Sequence, residues 1–246
     1  MEQSYQSRQI RPRVIATIPC FNSENYIGDV VSRTAKYVDQ VIVVDDGSSD
    51  DTVKAARAAG ALVISHDVNR GYGEAIKSCF KVGRANGADI LVTLDGDGQH
   101  NPDEIEKVMV PIINNEADIV IGSRFVNNQV GMPRYRRFGI KVITFLFNFG
   151  AKVKVHDAQS GFRAYSKRVL NAISLTETGM SVSVETLIKA RAAGLGIREV
   201  ATSCQYHPYS SSVNPVIHGL RVALSVVRLR LKSLVGGLVR GKQCLR

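Results

Sequence analysis

What most constrains this chain is a repeated alternation. Short unbroken apolar runs rich in β-branched residues, RVIATI (13–18), QVIVVDD (40–46), ALVISHD (61–67), ADILVTLD (88–95) and ADIVIGS (117–123), alternate with longer stretches at helical spacing, about 25–37, 51–59, 72–86 and 101–114. A strand apolar at nearly every position is covered on both faces, the condition of a parallel sheet with helices on either side. Ser49 or Asp50 suits the N-cap of the second helix, and Pro102 the start of the fourth. The spacing predicts an α/β fold with a mostly parallel central sheet flanked by helices. At 246 residues the chain suits one large domain or a domain with an appendage.

In such an open sheet the ligand crevice lies beyond the carboxyl ends of the strands. Asp45 and Asp46 close the second run, and Asp95 and Asp97 end the fourth in LDGDGQH (94–100). Two acidic pairs from distant sequence are therefore expected on one rim. Carboxylates facing one ligand repel, and one pKa rises unless a cation lies between them. An oxygen donor set suits the hard ions Mg²⁺ or Mn²⁺, which take one or two protein carboxylates and leave positions for water and substrate phosphate. The plainer alternative is that strand-end aspartates make turns or cap helices.

The formal net charge of +10 is unevenly placed. Acidic residues crowd the first half, and none occurs from Ile119 to His156 or after Glu199. The first of those stretches carries Arg124, Arg134, Arg136, Arg137, Lys141, Lys152 and Lys154. A nucleic-acid-binding module would leave the strand-end carboxylates and their spacing unexplained, which argues against a nucleic-acid partner. Four cysteines without CxxC or Cys/His spacing argue against a zinc site or a disulfide framework. The first apolar run, VIATI (14–18), is too short for a signal-peptide core, so an unexported protein is expected.

VVDDGSSDDT (43–52) followed by LDGDGQHNPDEI (94–105) resembles the family 2 glycosyltransferases, nucleotide-sugar enzymes of the Rossmann-like GT-A fold. IVIGSRF (119–125) and DAQSGFRAYS (157–166) resemble the dolichol-phosphate mannose and glucose synthases and their polyprenyl-phosphate relatives within that family. The resemblance covers roughly residues 13–215 and implies an N-terminal extension (1–12), a catalytic domain (13–214) and a basic amphipathic C-terminal helix and tail (215–246). It implies that Asp45 and Asp46 lie by the nucleoside, and that Asp95, Asp97 and Gln99 hold the metal on the diphosphate. The family opens with Pro-x-Tyr-Asn-Glu. Here Pro19 is followed by Cys20, Phe21, Asn22, Ser23 and Glu24, so the glutamate of the nucleoside contact is displaced by one position. Gly71 and Gly73 in NRGYGEAIK (69–77) lack a full GxGxxG and read as a strand-to-helix turn.

A hydroxyl acceptor needs a general base, whereas a phosphate monoester is already anionic and mainly needs positioning and charge compensation. Arg124, Arg136, Arg137 and Arg163 are the candidates for that work, with Asp157 orienting the acceptor or an arginine. Glu185 either lines the acceptor side or pairs with Lys189 at i+4. The resemblance thus implies inverting, metal-dependent transfer of a hexose from a GDP- or UDP-sugar to dolichyl or another polyprenyl phosphate. The alternative within the family is a hydroxyl acceptor on a polysaccharide, lipid or protein. The absence of Trp counts against the processive polymerases with their Gln-x-x-Arg-Trp motif.

A lipid acceptor implies a membrane, met peripherally on its cytoplasmic face. No segment reaches the roughly 18 apolar residues of a span. In residues 215–239, His218, Arg221, Ser225, Arg228 and Lys232 share one stripe, while Leu220, Leu224, Val227, Leu231 and Leu234 lie largely elsewhere. That pattern suits an interfacial helix on anionic lipid, or a helix docked on the protein's own core. FGIKVITFLFNFG (138–150) is a second candidate for lipid contact, and a separate membrane protein is the other means of attachment.

Overall fold

The structure is a computed structural model that describes residues 11–126, 132, 134–151, 153–205 and 222–230. Its elements run β1 (Val14–Cys20), α1 (Glu24–Thr34), β2 (Gln40–Asp45), α2 (Thr52–Ala58), β3 (Leu62–Ser65), α3 (Tyr72–Ala85) and β4 (Ile90–Thr93). A 3₁₀ turn (Pro102–Glu104) leads into α4 (Ile105–Ile113), then β5 (Ile119–Ser123), α5 (Arg134–Asn148), β6 (Arg163–Ser166), α6 (Lys167–Ala172), α7 (Val182–Ala192) and β7 (Ile197–Ala201). Residues 222–230 form a further helix, α8.

The strands make one seven-stranded sheet in the order β3-β2-β1-β4-β6-β5-β7. All neighbours are parallel except β6, which runs antiparallel to both β4 and β5. The apolar runs are explained by what they pack against. Along β1, Ile15 joins a core shared with Phe80 of α3 and Phe147 of α5, while Ala16 and Ile18 join a core shared with Ile27 of α1 and Ile105 of α4. Alternate residues thus enter opposite cores, and both are covered.

Two features differ from the sequence expectation. The five expected strands are present, and β6 and β7 add two more. The cap position of α2 is Asp51, whose side chain makes no capping bond, while the carboxylate of Asp50 one residue earlier accepts from Thr52 N, the first N–H of the helix, at 3.1 Å and from Glu24 N at 3.2 Å. Pro102 does open the 3₁₀ turn before α4, with Asn101 accepting from Asp103 N.

Of the C-terminal segment, residues 215–221 and 231–246 lie outside the described residues. The described part, α8, docks on the protein's own core through Val222, Val226 and Leu229, while Leu224 and Val227 face outward. Arg228 is paired with Glu177.

Gly71 and Gly73 have packing roles at the start of α3. Gly71 sits at φ 91°, and Gly73 N donates to Thr178 O at 2.9 Å. A Cβ on Gly73 would stand 2.3 Å from the Thr178 carbonyl carbon, so backbone would have to move. Gly73→Ala is expected to destabilise the fold by about 1–3 kcal/mol in urea unfolding. Gly28→Ala, in α1 with nothing within 4 Å of the added methyl, is expected to stabilise by about 0.5–1 kcal/mol. Equal effects at the two sites would show that the Thr178 contact is not close-packed.

Candidate active site

The reversed strand builds the site. Because β6 opposes β4 and β5, with Arg163 beside Thr93 and Ile121, the loop that precedes it arrives where those two parallel strands end. Thr93 Oγ1 fastens that loop by donating to Gly161 O at 2.8 Å. Asp95 beyond β4, Arg124 beyond β5 and Asp157 before β6 therefore meet on one rim.

Asp95 is enclosed. Tyr72 at the start of α3 donates its hydroxyl to Asp95 Oδ1 at 3.3 Å, and a Cβ on Gly161 would come within 2.8 Å of both carboxylate oxygens. His100 Nδ1 lies 3.6 Å from Asp95 Oδ2 but accepts from Asp95 N at 3.1 Å, which leaves the proton of the neutral ring on Nε2. Burial pushes the His100 pKa down to about 4, against the pull of Asp97, so the contact is not an ion pair at neutral pH. Burial also raises the Asp95 carboxyl, despite the Tyr72 hydroxyl and the arginines 124 and 163.

Asp97 stands beside it in the same turn, where Gly98 takes φ 74°. Its Oδ1 accepts from Gln99 N at 3.0 Å and its Oδ2 from Gln99 Nε2 at 2.7 Å. Among the described residues no group of three or more His, Cys, Asp or Glu converges as a metal cage. A two-carboxylate site with positions left for phosphate and water is what Mg²⁺ or Mn²⁺ takes, and a half-buried Asp95 whose carboxyl is raised despite two arginines fits a cation there.

The first acidic pair has local partners. Asp45 Oδ1 accepts from Ser48 N at 3.1 Å. Asp46 accepts from Arg70 N at 3.0 Å, from Gly71 N at 2.8 Å, and from His66 Nδ1 at 2.7 Å, and His66 Nε2 meets Ser78 Oγ at 2.9 Å. Asp46 thus clasps the loop that launches α3 and Tyr72. Glu24 Oε2 accepts from Asp51 N at 2.9 Å, at the mouth of α2. Pro19 is buried in β1, and its carbonyl accepts from Gly96 N at 3.3 Å, tying the strand to the Asp95 turn.

The basic corner is anchored by a bidentate pair. Arg124 Nε and Nη2 donate to Asp157 Oδ2 and Oδ1 at 2.7 and 2.8 Å, and the Asp157 side chain is wholly buried. Burial would raise the Asp157 carboxyl, but the Arg124 charge and its hydrogen bonds bring it below the ordinary aspartate value. Glu199 of β7 holds the backbone on the other side, accepting from Asp157 N at 2.8 Å and His156 N at 2.7 Å. Glu199 also accepts from His156 Nδ1 at 2.8 Å.

Arg163 is in this corner but beneath the surface. Its Nη1 and Nη2 donate to the carbonyls of Ser183 and Ala158 at 2.7 and 2.8 Å, and its buried Nε has no hydrogen-bond partner among the described residues. Arg137 instead reaches a cavity of about 520 Å³ beside α5, which it lines with Phe125, Lys141, Phe145, Lys154 and His156. The side chain of Arg136 lies outside the described residues. Glu185 pairs with Lys189 at 2.7 Å and accepts from Thr176 N and Glu177 N, both at 2.9 Å, so it holds the strap before α7.

Tyr72, His66, Glu199 and His156 were not among the residues singled out from sequence. Only the position of Tyr72 in NRGYGEAIK, already marked as a turn into a helix, offered a signal.

A family model described as Glycosyl transferase family 2 matches residues 16–174. The chain is 33% identical over 241 residues to the UDP-N-acetylglucosamine–dolichyl-phosphate N-acetylglucosaminyltransferase of Methanococcus voltae, spanning 89% of this chain and 96% of that protein. It is 31% identical over 216 residues to the dolichyl-phosphate hexose transferase of Haloferax volcanii, spanning 87% and 92%. Glucosyl-3-phosphoglycerate synthase of Mycobacterium tuberculosis, solved with Mn²⁺, UDP and glucosyl-3-phosphoglycerate, superposes with a TM-score of 0.68 at 23% identity, over 90% of this chain and 80% of that one.

The Arg124–Asp157 pair yields a stability test. Asp157→Ala leaves the guanidinium without its bidentate carboxylate in a mostly buried place, where breaking such a pair costs about 3–5 kcal/mol. Urea unfolding should show a loss of that size, and a loss below about 1 kcal/mol would mean the pair behaves as a solvated surface bridge.

Proposed function

Because this chain belongs to glycosyltransferase family 2, with the GT-A fold, we propose that it transfers a hexose from a GDP- or UDP-sugar to dolichyl or another polyprenyl phosphate, with inversion and with Mg²⁺ or Mn²⁺. The observation that carries this reading is the cavity beside the Arg124–Asp157 pair. Its wall combines the cations Arg137, Lys141 and Lys154 with the rings of Phe125, Phe145 and Phe149, which suits an anion on an apolar chain. The names of the Methanococcus voltae and Haloferax volcanii relatives support the same acceptor class.

The residues divide the work by charge. Asp95 and Asp97 would hold the cation, which would supply positive charge to the leaving nucleoside diphosphate. Tyr72 holds the Asp95 carboxylate by its hydroxyl, and the missing side chain of Gly161 leaves that carboxylate room. Asp45 borders the nucleoside side of the rim, and Asp46, through the Arg70–Gly71 backbone, sets the start of α3. Arg124, held flat by Asp157, and Arg137 on α5 draw the acceptor phosphate toward the donor and offset their mutual repulsion. A phosphate oxygen then attacks the anomeric carbon from the side opposite the diphosphate, whose bond to that carbon breaks. No base has to remove a proton, which agrees with an Asp157 kept charged and committed to an arginine.

One observation favours a hydroxyl acceptor. His156 lines the cavity and is oriented by Glu199, the arrangement of a general base with its positioning carboxylate.

A transfer assay separates the two. With membranes, a panel of labelled GDP- and UDP-sugars and Mg²⁺ or Mn²⁺, label is expected in organic-extractable lipid. EDTA should abolish it, and Asp97→Ala should reduce the rate by about 10²–10³-fold, the scale of losing one electrostatic stabiliser. His156→Gln should leave lipid labelling nearly unchanged. Label confined to water-soluble product, together with loss of transfer in His156→Gln, would replace the lipid phosphate by a hydroxyl acceptor.

A further inference from the structure

Helix α5 is apolar on both sides. Ile140, Ile143 and Phe147 point into the core, as a docked helix requires. On its outer side Phe138, Phe145 and Phe149 are 71%, 65% and 68% exposed, with Tyr135 and Val142 in the same row. The positions 135, 138, 142, 145 and 149 recur at three and four residues, so these side chains form one continuous stripe. Single exposed hydrophobics are ordinary on a protein surface, but a row of aromatic rings along one helix is not.

The stripe has a charged border. Arg134, Arg137 and Lys141 recur beside it at the same spacing and are exposed, and the whole stretch from Ile119 to His156 contains no Asp or Glu. At the far end of α5, α8 packs against it and also exposes Leu224 and Val227. Arg230 of α8 fastens the two helices, donating to the Leu146 carbonyl at 2.5 Å and also to that of Phe149.

We propose that this face, the outer stripe of α5 with Leu224 and Val227 of α8, docks on the surface of an anionic lipid bilayer. A second copy of this chain is the other candidate occupant, and charge decides against it. A two-fold interface sets a patch against itself, which would bring Arg134, Arg137 and Lys141 toward their own copies, with no Asp or Glu within residues 119–156 to pair them. A bilayer surface takes both parts of the pattern, rings at the headgroup boundary and cations on the anionic phosphates. The cavity holding Arg137, Lys141 and Phe145 then opens at the bilayer surface, where a lipid phosphate is delivered. The proposal rests on the lipid-acceptor reading, since a water-soluble acceptor gives this face no bilayer to meet.

The chain has no Trp, so Phe138→Trp introduces a single reporter on the stripe. It is mixed, as the full chain, with acceptor-free vesicles of phosphatidylcholine alone or with phosphatidylglycerol. The expected result is a blue shift of emission with the anionic vesicles, weakened by added salt, and cosedimentation of the parent protein with the same vesicles. Phe138→Ser/Val142→Ser, which alters only outward-facing positions outside the cavity wall, should weaken cosedimentation about tenfold or more while its thermal melt stays that of the parent. No shift and no cosedimentation would overturn the proposal. So would a blue shift already complete without vesicles in a protein that light scattering finds dimeric and the double variant finds monomeric. Vesicles free of donor and acceptor keep this test separate from sugar transfer. Lipid labelling without vesicle binding removes the docking face alone, and vesicle binding without lipid labelling removes the acceptor reading.

Discussion

Strand β6 runs against its neighbours, and the rest of the site depends on that reversal. In a sheet of parallel strands alone, each loop at the carboxyl rim leads away into a helix. Inserting one antiparallel strand between β4 and β5 returns the chain to the rim from the opposite direction, so residues 157–162 enter the crevice as a loop that precedes a strand. Asp157 and Gly161 consequently reach Arg124 and Asp95, which end strands more than thirty residues upstream of them or further. The pairing Thr93 to Arg163 fixes the register of this meeting, and the Thr93 hydroxyl on the Gly161 carbonyl fastens it.

The reversal sorts charge as well as shape. Asp95 and Asp157 are the same residue type on the same rim, yet their carboxyl pKa values are pushed apart. Asp95 is raised because burial outweighs a hydroxyl and two nearby arginines, while Asp157 is lowered because a guanidinium grips both its oxygens. Divergent environments for matched groups are the mark of divided roles. The raised carboxylate suits a cation that travels with the substrate, and the lowered one suits a permanent partner that keeps Arg124 in place.

The sheet and its acidic rim were legible because they rest on local signals. Five unbroken apolar runs announce covered strands, and an Asp-x-Asp at the end of one announces an exposed rim. Strand β6 was not legible: RAYS is four residues long, begins with an arginine and carries no alternation. Strand β7, IREVA, is a half-exposed edge with two charges. Partnerships across long sequence separations were hidden too. Nothing in the neighbourhood of Asp46 points to His66, or near His156 to Glu199. Arg163 shows the limit most plainly. Its motif marks it as a site residue, and it does lie under the site, but its terminal nitrogens hold the carbonyls of Ala158 and Ser183, a scaffold role that spacing could not disclose.

The same logic explains why the outer layer differs from helix to helix. Helix α7 is buried on nearly every side, so its carboxylate Glu185 must be satisfied internally, which Lys189 and the backbone of Thr176 and Glu177 accomplish. The strap so held carries Thr178 onto Gly73, and Glu177 takes Arg228 of α8. Helix α8 is therefore fixed to the body through the very segment that packs against the start of α3, one residue from Tyr72. Its Arg228 reaches the Glu177 carboxylate while remaining exposed, its Arg230 reaches carbonyls of α5, and Leu224 and Val227 stay outside. Helix α5 likewise has its apolar inner side satisfied by the core and still presents aromatic rings outward. Among the described residues the core takes only the inner side of each helix, while Phe138, Val142, Leu224 and Val227 stay exposed, and the basic border beside α5 gives that surface a polarity that an apolar core would not require.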